Sequence, residues 1–258
     1  MVRVSIVTVV KDHMHGLIET HLSILSQTFS DWEMIIVVGA SKDSTLLVAK
    51  DLETIDSRVK VLKQSDTGIY SAMNEGIESV GGEFIWFMNA GDKFATRLVL
   101  ADAIKEISEA SVGLVVGGYQ IDKGRTEQVY VYGSRVLTAL SFAFNRHGGC
   151  HQAMIFRTEL VREIGGFDLS YLLASDFDLV LKVIKLASAV RVPKIYASIE
   201  PGGAADQGIF SVHRQKHQIR KRYFGNSPII FLSSVWTIAA RTKITFRRLL
   251  DPLKQFFT

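Results

Sequence analysis

The run from Glu83 to Phe94, EFIWFMNAGDKF, passes from five apolar residues, Phe84 to Met88, straight into Asn89-Ala90-Gly91-Asp92. The apolar part has the length and aromatic, β-rich composition of a buried strand. Asn89 and Asp92 offer hard oxygens and Gly91 lets backbone come close, which suits a divalent cation held together with phosphate. The same residue types also make a plain β-turn, and the stretch taken alone favours that simpler reading. Thr8, the loop Gly39 to Asp43, and Asp66 likewise stand at the ends of apolar runs. Asp176 and Asp178 open a segment with Leu179, Leu181, Val183, Ile184 and Leu186, where either acid would suit a helix N-terminus through the macrodipole alone. His151-Gln152 opens one more apolar run, and a lone histidine is more often structural than catalytic.

Alternating elements would have to position these groups. Val2–Val10, Trp32–Val38, Val59–Leu62 and Phe84–Met88 read as strands. Between them, Leu17, His21, Ile24, Leu25 and Phe29 fall at helical spacing, a helix follows Ser44-Thr45, and a third runs from Ile69 to Ser79 and stops at Gly81-Gly82. Strand and helix alternate four times in the first hundred residues, which predicts βαβ units and a parallel sheet with helices on both faces. In such a sheet the carboxyl ends of the strands share one edge, where open α/β sheets bind ligands. Four ordinary loops then become one site, and this convergence outweighs any loop alone.

The second half reads differently. A helix is expected over Leu98–Ile107, strands over Gly113–Tyr119, Gln152–Arg157 and Arg191–Tyr196, and an exposed antiparallel strand over Glu127–Tyr132. Ser141–Gly149 reads as an irregular loop, a short helix ends at Gly165-Gly166, and the loop Glu200–Gln207 leads to a basic helix over Ser211–Tyr223.

With 258 residues, 47% apolar and 22% charged, the chain suits one large domain or a domain with an appendage. Cys150 is the single cysteine, which excludes an internal disulfide and fits a reducing compartment. The first ten residues are strand-like with no cleavage pattern after them, and no apolar run is long enough to span a bilayer. From Ser211 onward there are ten Lys/Arg and one acid, a net +9, so residues 1–210 hold −5 of the chain's +4. The basic character therefore belongs to the tail.

No GxGxxG follows the first strand, there is no Walker A pattern, and Cys and His are not at zinc spacing. What remains is an acid-based site handling phosphate. The blocks SIVTVV, IIVVGASKDST, SDTGIYSAMNEGI, FIWFMNAGDKF, HQAMIFR and ASDFDLVLKV, in that order over residues 2 to 205, resemble the family 2 glycosyltransferases of GT-A fold, most of all the bacterial colanic-acid and exopolysaccharide type. The resemblance implies an α/β fold with a mostly parallel central sheet and a smaller antiparallel part. It implies a nucleotide-binding half at about 1–95 and an acceptor half at about 96–227. It implies an inverting sugar transfer from a UDP- or GDP-sugar to a hydroxyl of a glycan or lipid-linked acceptor, in surface polysaccharide synthesis.

By the same resemblance Thr8, Val10, Gly39, Ser41, Asp43, Asp66, Asn74, Asn89, Ala90 and Gly91 contact the nucleotide. Asp92 holds Mg²⁺ or Mn²⁺, Asp176 is the base, and His151, Gln152 and Asp178 lie on the acceptor side. The chain departs from the family's pattern where Gly39, Asn89 and Gly91 stand in place of acids and Ser175 in place of Glu. Asp43 and Asp66 could equally cap helices, and Tyr70, four residues before Asn74 on one helical face, could be only core. Gly202-Gly203 resembles a flexible glycine pair near the active site, and Arg214, Lys216 and Arg220 could reach a diphosphate or form a solvated face. The segment 228–258 combines apolar and aromatic residues with cations, which suits the inner face of an anionic membrane or a helix packed on the domain. A cytoplasmic protein is expected, peripheral on the inner face of the membrane where the tail binds there, and without a nucleic-acid partner. A sugar-phosphate nucleotidyltransferase and a non-catalytic sugar-nucleotide module are the rival readings; the stretch Thr8–Gly16 lacks the Gly-rich, Arg-bearing loop that the former needs.

Overall fold

The computed structural model describes residues 3–122, 127–131, 137–144, 149–202 and 209–225. Two units are distinguished, Met1–Pro201 and Gly202–Thr258. The first closes with the last strand of its sheet, so the division falls before the 227/228 boundary expected from the sequence. Of the second unit, the helix Ile209–Phe224 is described. The segment 228–258, Tyr132, Gly203 and the far part of the Glu200–Gln207 loop lie outside the described residues.

The first unit is built on a nine-stranded sheet ordered β3-β2-β1-β4-β8-β6-β9-β5, with β7 off this path and paired with the later part of β6. Its strands are β1 (Val4–Val10), β2 (Trp32–Val38), β3 (Val59–Lys63), β4 (Phe84–Phe87), β5 (Lys93–Phe94), β6 (Val112–Asp122), β7 (Glu127–Tyr130), β8 (Met154–Arg157) and β9 (Ser188–Ile199). The first four pair in parallel, as the βαβ alternation requires. β8 runs antiparallel to both β4 and β6, while β9 returns parallel to β6 over the longest register in the sheet.

Helices cover both faces. Residues of alternate parity, such as Val4, Ile6, Met34, Ile36, Phe84 and Trp86, join one core cluster with α1 (Met14–Leu25), α2 (Thr45–Ile55) and α4 (Val99–Ile107). The opposite face carries α3 (Ile69–Ser79), which comes so close that a Cβ on Gly76 would sit 2.4 Å from Val7 Cγ1. Because both faces are covered, every residue of β1 is buried and its composition is nearly continuous Val and Ile.

Differences from the sequence reading are local. The stretch expected as an irregular loop after Ser141 begins instead inside a short helix, α5 (Ala139–Phe144). Phe142 is buried there and stacks on Phe177 at 5.2 Å, so a tertiary contact holds a helix too short to stand alone. α6 (Thr158–Glu163) and α7 (Ser175–Leu186) follow, and Phe29 lies beyond the end of α1. The helix of the second unit is α8.

Candidate active site

Asn89-Ala90-Gly91-Asp92 is both the turn and the site. The Asp92 N–H donates to Asn89 O at 3.0 Å, and Gly91 carries φ +97°, a left-handed conformation that favours glycine. Fully buried Thr20 of α1 locks the loop. Its hydroxyl accepts the Gly91 N–H at 3.0 Å and donates to Asp92 O at 2.7 Å. The Asp92 side chain is 5% exposed. Its Oδ2 accepts from Gln152 Nε2 at 2.8 Å and its Oδ1 from the Glu200 N–H at 3.0 Å. Burial pushes this carboxyl up to about 6, against the pull of those two hydrogen bonds and of His151; the charge of Glu200 adds to the rise.

Gln152 belongs to a 3₁₀ turn, His151–Ala153, that leads into β8. The indole N–H of Trp86, itself buried in β4, holds the turn through Gln152 O at 2.8 Å. The Cys150 thiol donates to Gln152 Oε1 at 2.6 Å, which turns the amide nitrogen toward Asp92. The neighbouring residue of the same turn serves the other acid: His151 Nδ1 lies 3.3 Å from Asp176 Oδ2. Asp176 sits in the first turn of α7 with its side chain 25% exposed, and its Oδ1 accepts from Tyr70 Oη at 3.2 Å and from the Phe177 N–H at 2.8 Å. Two adjacent residues therefore tie together the acid at the end of β4 and the acid at the start of α7.

Ser41 and Asp43 knit the loop after β2 to the loop after β1. Ser41 Oγ accepts the Asp12 N–H at 3.0 Å, and Asp43 accepts the Thr45 N–H at 3.0 Å and the Met14 N–H at 3.4 Å. The hydrogen bonds from Thr45 hold the exposed Asp43 carboxyl below its usual range. The Gly39 N–H donates to Val10 O and the Ala90 N–H to Val9 O, which aligns these strand ends on one edge. Asp66 is exposed and accepts the Thr67 N–H at 2.7 Å; the cap position of α3 is Gly68, so Asp66 is not its cap.

Four more of the expected site residues are placed as follows. Thr8 is fully buried and its hydroxyl has no partner among the described residues, because β1 continues two residues past it. Val10 is also buried, and its carbonyl is taken by Gly39. Asn74 spends both ends of its amide on the backbone of Phe167, donating to its carbonyl at 2.9 Å and accepting its N–H at 2.8 Å. Asp178 is fully buried and pairs with Lys182 at 2.9 Å, one turn along α7.

The sequence reading missed Glu200 and His13 and left Tyr70 as core. Glu200 Oε2 lies 2.7 Å from His13 Nε2, and this pair crosses directly over Gly91. Its sequence signal was only a Pro-Gly-Gly after a late strand.

Among the described residues no three His, Cys, Asp or Glu side chains converge on a metal position. The hard oxygens at the turn are the Asp92 carboxylate and the buried Asn89 Oδ1, which has no hydrogen-bond partner among the described residues. An orphaned oxygen beside a carboxylate fits Mg²⁺ or Mn²⁺ of the kind completed by substrate phosphates and water, not by an all-protein cage.

This mixed α/β architecture, a mostly parallel sheet with helices on both faces, is the GT-A fold, and solved structures agree. S. aureus TarS 1-349 in complex with UDP-GlcNAc superposes with a TM-score of 0.69 at 18% identity, over 85% of this chain and 66% of that one. The mannosyltransferase PcManGT from Pyrobaculum calidifontis, in complex with GDP-Man and Mn²⁺, gives 0.69 at 17% identity, over 98% of this chain and 82% of that one. Residues 5–165 match the model of glycosyl transferase family 2, and the chain belongs to that family: it is a glycosyltransferase. Among curated relatives, a PGL/p-HBAD biosynthesis glycosyltransferase of Mycobacterium bovis is 28% identical, over 88% of this chain and 90% of its own length. An uncharacterized glycosyltransferase of Mycobacterium tuberculosis is 25% identical, over 88% and 87%.

Proposed function

We propose that the protein is an inverting glycosyltransferase that moves a sugar from a nucleoside-diphosphate donor to a hydroxyl of a glycan or lipid-linked acceptor. The observation that carries this reading is the His151–Gln152 turn, which links Asp176 to Asp92 through one short hydrogen-bonded path. An inverting displacement needs a carboxylate opposite the leaving group to take the proton of the attacking hydroxyl. Asp176, partly exposed and held on both oxygens, suits that base. The donor half would be lined by Gly39, Ser41, Asp43, Asp66 and the Asn89–Gly91 backbone, with Asp92 and Asn89 holding the cation. When bound, Mg²⁺ or Mn²⁺ offsets charge on the departing nucleoside diphosphate. Gln152 and the Glu200 N–H keep Asp92 in one rotamer, and Thr20 fixes the turn beneath it.

UDP-GlcNAc and GDP-Man, the ligands of the two solved relatives, are the first donors to assay. The mycobacterial relatives, one of them named for PGL/p-HBAD biosynthesis, favour a lipid-linked or surface-glycan acceptor. No helix of the described residues is long and apolar enough to cross a membrane. A lipid acceptor would be met at the membrane surface, where the basic tail supplies attraction to anionic lipid. A panel of nucleotide sugars with Mn²⁺, followed by NMR of the product's anomeric configuration, tests the reading. Inversion with loss of turnover in Asp176→Asn supports it. Retention of configuration, or donor binding without turnover, refutes it, the second in favour of a binding module.

A further inference from the structure

We propose that α3 is the arm that aims Asp176, with Tyr70 as its positioning residue. The inference rests on the assignment of Asp176 as base. Tyr70 and Asn74 lie one turn apart on α3 and face the same way. Asn74 forms a two-way amide–peptide pair with Phe167. Only glycine lets the backbone come this close: a Cβ on Gly166, at φ +67°, would sit 2.5 Å from Asn74 Oδ1. The anchored Phe167 ring stacks on Tyr70 at 5.1 Å and meets Phe87 edge-on at 4.9 Å. Tyr70 is thus clamped as a ring, and its hydroxyl is a fixed donor to Asp176 Oδ1 at 3.2 Å. Burial and the facing carboxylate hold the Tyr70 hydroxyl far above the usual phenol range, so it stays a donor at any working pH.

His151 takes the other oxygen, so α3 and the 3₁₀ turn fix the carboxylate from two sides. On its own helix, Asp178 and Lys182 pair with each other. α5, packed on α7, carries no titratable side chain, and on α6 Arg162 is bound to the carbonyls of Ile77 and Val80. A donor to the charged form favours carboxylate over acid. Tyr70 therefore has two effects: it orients Asp176, and it keeps Asp176 ionised at lower pH.

Tyr70→Phe removes the hydroxyl and keeps the stacked ring. The probes are UDP-GlcNAc and GDP-Man with Mn²⁺, where water replaces the acceptor hydroxyl. For the donor that is turned over, kcat of Tyr70→Phe should fall about tenfold, the rate equivalent of one hydrogen bond, with KM unchanged. The acid limb of the kcat profile should move to higher pH. The resting protein gives a second readout without substrate: ¹³C-carboxyl NMR of Asp176 should show it titrating at higher pH in Tyr70→Phe than in wild type. An unmoved limb and an unmoved NMR titration overturn the role of Tyr70, even if kcat falls with Tm. If Asp176→Asn keeps wild-type turnover, the base assignment itself fails, and this inference fails with it. If Asp176→Asn is inactive while Tyr70→Phe is fully wild type, only the inference fails.

Discussion

Gly91 is where backbone and side-chain geometry can be separated by substitution. Two costs follow from Gly91→Ala. The first is conformational: φ +97° is left-handed, and a non-glycine residue there costs about 1–3 kcal/mol. The second is steric: the new Cβ would fall within 3 Å of His13 Nε2 and directly on Glu200 Oε2, the two partners of the pair that crosses the turn. The Glu200 carboxylate is the far end of a flexible side chain and can swing away, so this second cost is the lost His13–Glu200 contact. Both partners are substantially exposed, at 38% and 49%, which limits the pair to about 0–1 kcal/mol after solvent screening. Gly91→Ala should therefore lose about 2 kcal/mol in urea unfolding, most of it from the backbone. Glu200→Ala alone should lose less than about 1 kcal/mol. The double variant should fall short of the sum by about the worth of the pair, because each single variant already breaks it. Isothermal titration of UDP with Mn²⁺ gives a second readout, since the displaced loop borders Asp92. A Gly91→Ala protein within about 0.5 kcal/mol of wild type, with unchanged Mn²⁺–UDP affinity, would refute both the strain and the placement of the Glu200 pair over the turn.

Three further outcomes follow from the same geometry. Gln152→Leu strips a donor from buried Asp92 and the acceptor from Cys150, and should cost about 1.5–3 kcal/mol in urea unfolding while weakening Mn²⁺–UDP binding. Lys182→Met leaves fully buried Asp178 unpaired and should cost about 3 kcal/mol without changing the KM for donor, as expected of a structural ion pair. Burial lowers the pKa of His21, so the folded state disfavours its charged form. The sign follows: stability from neutral His21 is intact above its unfolded value near 6.5 and is lost as pH falls toward the lower folded value, with a slope of at most about 1.4 kcal/mol per pH unit. His21→Leu should flatten that acid-side loss in a Tm–pH series; an unchanged slope would place the sensitivity elsewhere.

Periodicity was enough for β1, β2, β4 and α3, because parallel strands buried on both faces leave an apolar signature and their polar ends fall on one edge by topology. Thr8 shows the limit of that signal. A polar residue inside an apolar run looks like a strand end, yet the strand continues and buries the hydroxyl. Asn74 and Tyr70 show another limit: helical spacing puts them on one face, but what that face meets is Phe167 and Asp176, about a hundred residues away in sequence. Glu200 is the extreme case, since its N–H reaches Asp92 only because β9 lies between β6 and β5 and so ends beside the turn that precedes β5. The sheet order thus decides which acids meet. At Gly91 the space a side chain would take is filled by a carboxylate delivered from the far half of the sheet. A substitution at Gly91 and one at Glu200 should consequently share the loss of that one contact, the backbone cost belonging to Gly91 alone, although nothing in the sequence relates the two positions.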